Sequence, residues 1–147
     1  MISEHSAGIV LFKEDKQREY LLLEYSPDHW DFSKGNVEKG ETEIEAATRE
    51  LKEETGIDDV KIIEGLKESI SYFFRRGGNT INKTVTFFLG KTEKKEVKIS
   101  WEHKGFIWLN FNDALQKITF NNSKQILRNA EEFLNKLDKQ NLKKFLK

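Results

Sequence analysis

The stretch RELKEETGI places carboxylates at Glu50, Glu53 and Glu54, spaced i, i+3 and i+4. On a helix this spacing crowds the three onto one arc of roughly 100°, where like charges repel. Two kinds of partner would relieve the repulsion. A hard divalent cation would draw the carboxylate oxygens together, and a chain without cysteine must hold any metal through oxygen or imidazole, which favours Mg²⁺ with Mn²⁺ as the alternative. A solvated ladder would serve as well: Glu45, Arg49 and Glu53 are four apart, and each pair is worth roughly a few tenths of a kcal/mol. The helix by itself leaves both open.

The elements that must position these groups are legible on either side. Thr42 is placed to cap a helix, Glu45 completes a capping box, and Gly56 closes the helix in a left-handed turn. Ile44, Ala47, Thr48, Leu51 and Thr55 form its expected buried stripe. SAGIVLFK and REYLLLEY read as strands of a hairpin, and SPDHWDFSKGNVEKGE as a loop with a short strand at Trp30 to Phe32. VKIIEGLKESISYFF and KTVTFFLG are expected to pair through the turn RRGGNTIN, followed by the strand GFIWL and a short helix at NDALQKI. From about Ser123 the residues Ile126, Leu127, Ala130, Phe133, Leu134 and Leu137 recur at helical spacing. Strands interrupted by helices predict an α/β fold in which helices cover both faces of a mixed sheet.

A length of 147 residues fits one domain with a core of its own. Acidic and basic residues balance at 25 each, so no global field favours nucleic acid; the Lys-rich tail KLDKQNLKKFLK reads as a solvated helix end. Apolar runs are short and strand-like, and the N-terminus lacks the pattern of a leader, so a soluble, cytoplasmic monomer is expected, with no membrane partner.

The stretch GNVEKGETEIEAATRELKEETGI fits G-x5-E-x7-R-E-U-x-E-E-x-G-U, U being aliphatic, at Gly35, Glu41, Arg49, Glu50, Leu51, Glu53, Glu54, Gly56 and Ile57. This resembles the signature of the Nudix hydrolases. The resemblance implies a Nudix fold, an α/β/α sandwich with a mixed sheet, that binds Mg²⁺ and cleaves a nucleoside diphosphate linked to another group. It also implies that Glu53 and Glu54 are metal ligands, that Glu50 is a ligand or the base that activates water, and that Arg49 orients Glu50. Glu41 would reach the metal directly or through water, and Gly35 would present a backbone carbonyl to it.

Across nearly the whole chain, SAGIVLF, LLLEY, HWDFSKGNVEKGE, EGLKESISYFF, NKTVTFFLG and EHKGFIWLNFNDA resemble the asymmetrical diadenosine tetraphosphate hydrolases. That likeness implies that His29, Lys34 and Lys83 approach the phosphates, and that Glu102 is a further ligand or the base. It offers Tyr72, Phe87 and Phe120 as aromatic partners of adenine, while His103 is expected to be structural. Ser33 and Asn36 depart from the family's usual Pro and His, and Phe87 stands where Tyr is frequent.

The expected activity is therefore Mg²⁺-dependent cleavage of diadenosine tetraphosphate to ATP and AMP. The same chemistry on RNA 5′-ends, nucleoside triphosphates or diphosphoinositol phosphates is the near alternative. A non-catalytic nucleotide sensor or RNA-binding module is the alternative of another class, the latter kept open by the Lys-rich tail and by Arg75 and Arg76.

Overall fold

The computed structural model describes residues 1–94, 96–100 and 103–146. Glu102 lies outside the described residues. The strands are β1 (Ile2–Glu14), β2 (Arg18–Ser26), β3 (His29–Asp31), β4 (Ser33–Asn36), β5 (Lys61–Arg76), β6 (Asn79–Lys91) and β7 (Gly105–Leu109). The helices are α1 (Glu43–Thr55), α2 (Phe111–Lys117) and α3 (Asn121–Leu146).

The mixed sheet runs β3-β2-β1-β6-β5, with β4 paired to β1 and β7 to β2. β1 and β6 are parallel from Ile2↔Ile81 to Phe12↔Lys91. β1 and β2 form the expected hairpin but pair only from Phe12↔Tyr20 to Glu14↔Arg18. Beyond that point they diverge. β4 takes the freed edge of β1 from Ser6↔Asn36 to Ile9↔Ser33, and β7 takes that of β2 from Tyr20↔Leu109 to Glu24↔Gly105. The sheet therefore forks, and the segments around Tyr25, Ser33 and His103 meet in the fork.

Alternation along the strands sends side chains to opposite faces. Ala7, Ile9, Leu11, Leu21 and Leu23 pack with Ala46, Ala47 and Leu51 of α1. Val10, Phe12, Leu22, Val85 and Leu89 pack with Ile126, Leu127 and Ala130 of α3 on the other side. Each fully buried aliphatic side chain contributes about 1.5–3 kcal/mol, and together the two clusters clamp the forked sheet between helices.

α1 begins and ends as the sequence requires. Thr42 Oγ1 accepts from Glu45 N–H at 3.2 Å while Glu45 Oε1 accepts from Thr42 N–H at 2.9 Å, completing the capping box. Gly56 adopts φ 76° and donates to Lys52 O at 2.8 Å. The buried stripe differs from the expected one: Ala46 and Glu54 are buried with Ala47, Leu51 and Thr55, while Ile44 is exposed and Thr48 half-buried. The helix has turned its Glu54 edge toward the sheet, where that carboxylate finds hydrogen-bond donors.

Other boundaries moved outward. β5 and β6 run on to Arg76 and Asn79, so the turn is only Gly77-Gly78, with φ 57° and 78° as a two-residue hairpin of the primed type demands. β4 forms where a loop was expected, because β1 leaves an edge to be paired.

Candidate active site

Arg49 is the hub of the acidic helix. Its Nε donates to Glu41 Oε2 at 2.7 Å, its Nη2 to Glu41 Oε1 at 3.0 Å and to Asn36 O at 2.9 Å. Its Nη1 donates to Glu50 Oε1 at 2.9 Å and to Glu53 Oε2 at 3.2 Å. One guanidinium thus bridges three carboxylates, using the five-donor fork that only arginine offers. Glu45 is spent on the helix cap, so of the alternative ladder only the Arg49–Glu53 rung forms, within this hub.

Glu54 is held differently. It is 3% exposed, and its Oε1 accepts from Ser33 Oγ at 2.8 Å and Lys34 N–H at 3.1 Å. Its Oε2 faces the Tyr25 hydroxyl at 3.4 Å and makes a short contact with His103 Nε2. Burial pushes the Glu54 carboxyl up to about 8; Glu50 adds to the rise, while Ser33, the Lys34 amide and Tyr25 oppose it. His103 reaches this position because Ser100 N–H bonds Glu54 O at 3.1 Å, His103 N–H bonds Ser100 O at 3.1 Å and Lys104 N–H bonds Glu24 O at 3.1 Å. His103, expected to be structural, is buried against Glu54 and stands in the wall of the acidic cavity.

Glu50, Glu53 and Glu54 line one cavity of about 850 Å³ together with Gly35, Lys34 and Lys83; His103 and Ser100 form another part of its wall. Gly35 lies on β4 directly against Glu50, leaving no room for a β-carbon. Glu41 does not line this cavity, since its oxygens are taken by Arg49 and by Glu38 N–H at 2.9 Å. Among the described residues no group of three or more acidic or imidazole side chains is placed to hold a metal ion by itself. The open set of carboxylates nonetheless suits Mg²⁺, which keeps waters and is shared with substrate phosphates. A buried carboxylate of raised pKa beside a second one is also where a cation relieves most strain, and the buried, unpartnered Ser100 Oγ adds a neutral oxygen to the same wall.

A second cavity of about 540 Å³ adjoins the first and shares Lys34 and Lys83 with it. Its walls include Tyr72 and Phe74, their ring centroids 6.1 Å apart, and His29 and Phe120, 4.9 Å apart at an interplanar angle of 72°. His29 also stacks on Tyr25 at 5.0 Å. Lys83 forms no ion pair among the described residues, and burial, then Lys34 and Arg76, push its pKa below the ordinary lysine value against the opposing pull of Glu4. Phe87 is not at this wall. It is wholly buried in the core, 5.6 Å from the ring of Phe32, because alternation along β6 turns it inward with Val85 and Leu89. Two residues absent from the sequence reading complete the picture. Phe74 shares the strand face of Tyr72, a signal that alternation along β5 offered; Asp31, buried at the floor, gave none.

The chain belongs to the Nudix family: the NUDIX domain model matches residues 3–130. It is similar to the asymmetrical bis(5′-nucleosyl)-tetraphosphatase of Mus musculus, 32% identical over 142 residues, covering 88% of this chain and 94% of that protein. Among solved structures it resembles the C. elegans Ap4A hydrolase binary complex, with 33% identity, a TM-score of 0.79 and coverage of 90% of this chain and 98% of the other. An RNA pyrophosphohydrolase of Nitratiruptor sp. is 33% identical over 129 residues, covering 78% of this chain and 81% of that protein. Among the described residues no helix is long and apolar enough to cross a membrane.

Proposed function

We propose that this Nudix hydrolase cleaves diadenosine tetraphosphate asymmetrically, giving ATP and AMP. The observation that carries the reading is the pair Lys34 and Lys83, which line both the acidic and the aromatic cavity. A base stacked between Tyr72, Phe74 and Phe120 would send its phosphate chain past both ammonium groups to the carboxylates. A substrate with four linked phosphates carries the charge that such a lysine pair is suited to offset. The likeness to asymmetrical tetraphosphatases over most of the chain supports the same choice.

Glu50, Glu53 and Glu54 would hold Mg²⁺, or Mn²⁺, with Gly35 at its margin and Glu41 acting through Arg49; when bound, the ion neutralises phosphate oxygens and lowers the pKa of water. Arg49 fixes the rotamer of Glu50 and takes its electrostatic reference from Glu41. Lys34 and Lys83 hold the polyphosphate in register, and His29 closes the aromatic wall beside it. Water attacks the phosphorus farthest from the adenosine that leaves as ATP, the bridging P–O bond joining that phosphorus to ATP breaks, the water proton passes to a carboxylate, Glu50 or Glu102, and the new P–O bond belongs to AMP. Glu53, the most exposed of the three helix carboxylates, completes the acidic lip.

The test is a comparison of kcat/KM for diadenosine tetraphosphate, 5′-triphosphorylated RNA, nucleoside triphosphates, ADP-ribose and a diphosphoinositol phosphate. The dinucleotide is expected to be the best substrate. A higher kcat/KM for RNA 5′-ends would keep the chemistry and move the specificity to that of the Nitratiruptor relative's name.

A further inference from the structure

Asp31 is a carboxylate that the chemistry above does not use. It is 1% exposed and sits on β3 at the floor of the aromatic cavity. Its Oδ1 accepts from Phe32 N–H at 2.8 Å; its Oδ2 accepts from Ser123 Oγ at 3.1 Å and from Lys34 Nζ at 3.2 Å, with His29 Nε2 at 3.7 Å. Burial alone would raise its pKa, but His29, Lys34, the Phe32 amide and Ser123 outweigh burial and hold it below the ordinary carboxylate value.

Removing a carboxylate from water is costly unless each oxygen is satisfied. Here the compensation comes from Lys34 on β4, from His29 and the Phe32 amide, and from Ser123 in the first turn of α3. β3 and the start of α3 are fastened again at Thr119, whose Oγ1 accepts from Trp30 N–H at 2.8 Å and donates to Asp28 O at 3.0 Å, and whose N–H donates to Trp30 O at 3.2 Å. The carboxylate is thus fixed on a rigid joint, and Lys34 is fixed on the carboxylate.

We propose that Asp31 is a positioning residue for polyphosphate: from its buried seat it holds the Lys34 ammonium at the junction of the two cavities and ties that point to the start of α3, which carries Ser123 beside the aromatic wall. A free lysine would lose rotamer freedom on gripping phosphate. Asp31 removes that freedom in advance through its 3.2 Å contact with Lys34 Nζ. The inference rests on the reading that a phosphate chain passes Lys34.

The experiment is a double-mutant cycle of Asp31→Asn and Lys34→Ala with two readouts: kcat and KM for diadenosine tetraphosphate, and calorimetric Kd for inorganic tripolyphosphate. Asp31→Asn is expected to raise KM and the tripolyphosphate Kd about tenfold while kcat stays within about twofold, and the double variant to bind within about twofold of Lys34→Ala. Additive losses, or an unchanged tripolyphosphate Kd in either single variant, would overturn the proposal. If the wild type leaves the dinucleotide intact but binds tripolyphosphate, the substrate reading fails and the cycle on Kd still decides for Asp31; if it does neither, both fail. Should Asp31→Asn not fold, Asp31→Ser, which keeps an acceptor for the Phe32 amide, takes its place; failure of both to fold would assign Asp31 to the fold and overturn the positioning role.

Discussion

The Glu50 carboxyl group occupies the space in which a β-carbon on Gly35 would stand. Gly35 is not in a left-handed conformation, so alanine costs nothing in backbone strain. What must yield is the far end of the Glu50 side chain. Gly35→Ala is therefore expected to lower thermal stability by only a few degrees while cutting kcat by about 100-fold, because a displacement of about 1 Å at a catalytic group is enough for such a loss. Thermal melts alongside steady-state kinetics check it; wild-type turnover would show that the position of Glu50 is immaterial.

Glu54→Gln is expected to lose turnover by orders of magnitude and, in the presence of chelator at neutral pH, to be more stable than the wild type by about 1–2 kcal/mol, since the buried Glu54 carboxyl must take up a proton on folding and the neutral amide need not. The pH dependence has a definite sign. The Glu54 carboxyl titrates near 8 in the fold against 4.5 as its ordinary value, so the folded state binds the extra proton between them. Its penalty is absent below the lower value and grows as pH rises to the upper one. Denaturant titrations with chelator should show stability falling across that window, and Glu54→Gln should flatten the fall.

Lys83 forms no ion pair among the described residues and lines both cavities, so its removal breaks no structural contact of that kind. Lys83→Ala should raise KM for the dinucleotide about tenfold with kcat little changed and with unchanged or slightly higher stability. Equal KM in mutant and wild type would remove Lys83 from the phosphate path.

Arg18 tests the fold apart from the chemistry. It joins Glu14 at 3.1 Å, Glu131 at 2.9 Å, Asn135 at 3.1 Å and Asp138 at 2.7 Å, fastening the β1-β2 hairpin to α3, and it lines neither cavity. Arg18→Ala should cost about 3 kcal/mol in chemical denaturation, because Glu131 loses its charged partner in a half-buried setting, while kcat stays at the wild-type value.

The parts legible in the sequence are those governed by local rules. The cap at Thr42, the stop at Gly56 and the α3 stripe depend on neighbours within a turn or two, and the carboxylate spacing carries the site with it. The misplaced features depend on distant partners. Glu54 is buried because Ser33, Tyr25 and His103 come to it, the last from 49 residues away. Asp31 is invisible as a node because Ser123 lies 92 residues further on. Phe87 is the exception: it turns inward with Val85 and Leu89 by the alternation along β6 that sends all three to the α3 side, so that pattern weighed against its adenine role.

The most direct measurement is product analysis by anion-exchange chromatography after the protein meets diadenosine tetraphosphate with Mg²⁺ and, separately, with chelator. Equal amounts of ATP and AMP, formed only with the metal, are the predicted result. Two molecules of ADP, equal rates in chelator, or an uncut dinucleotide would contradict it.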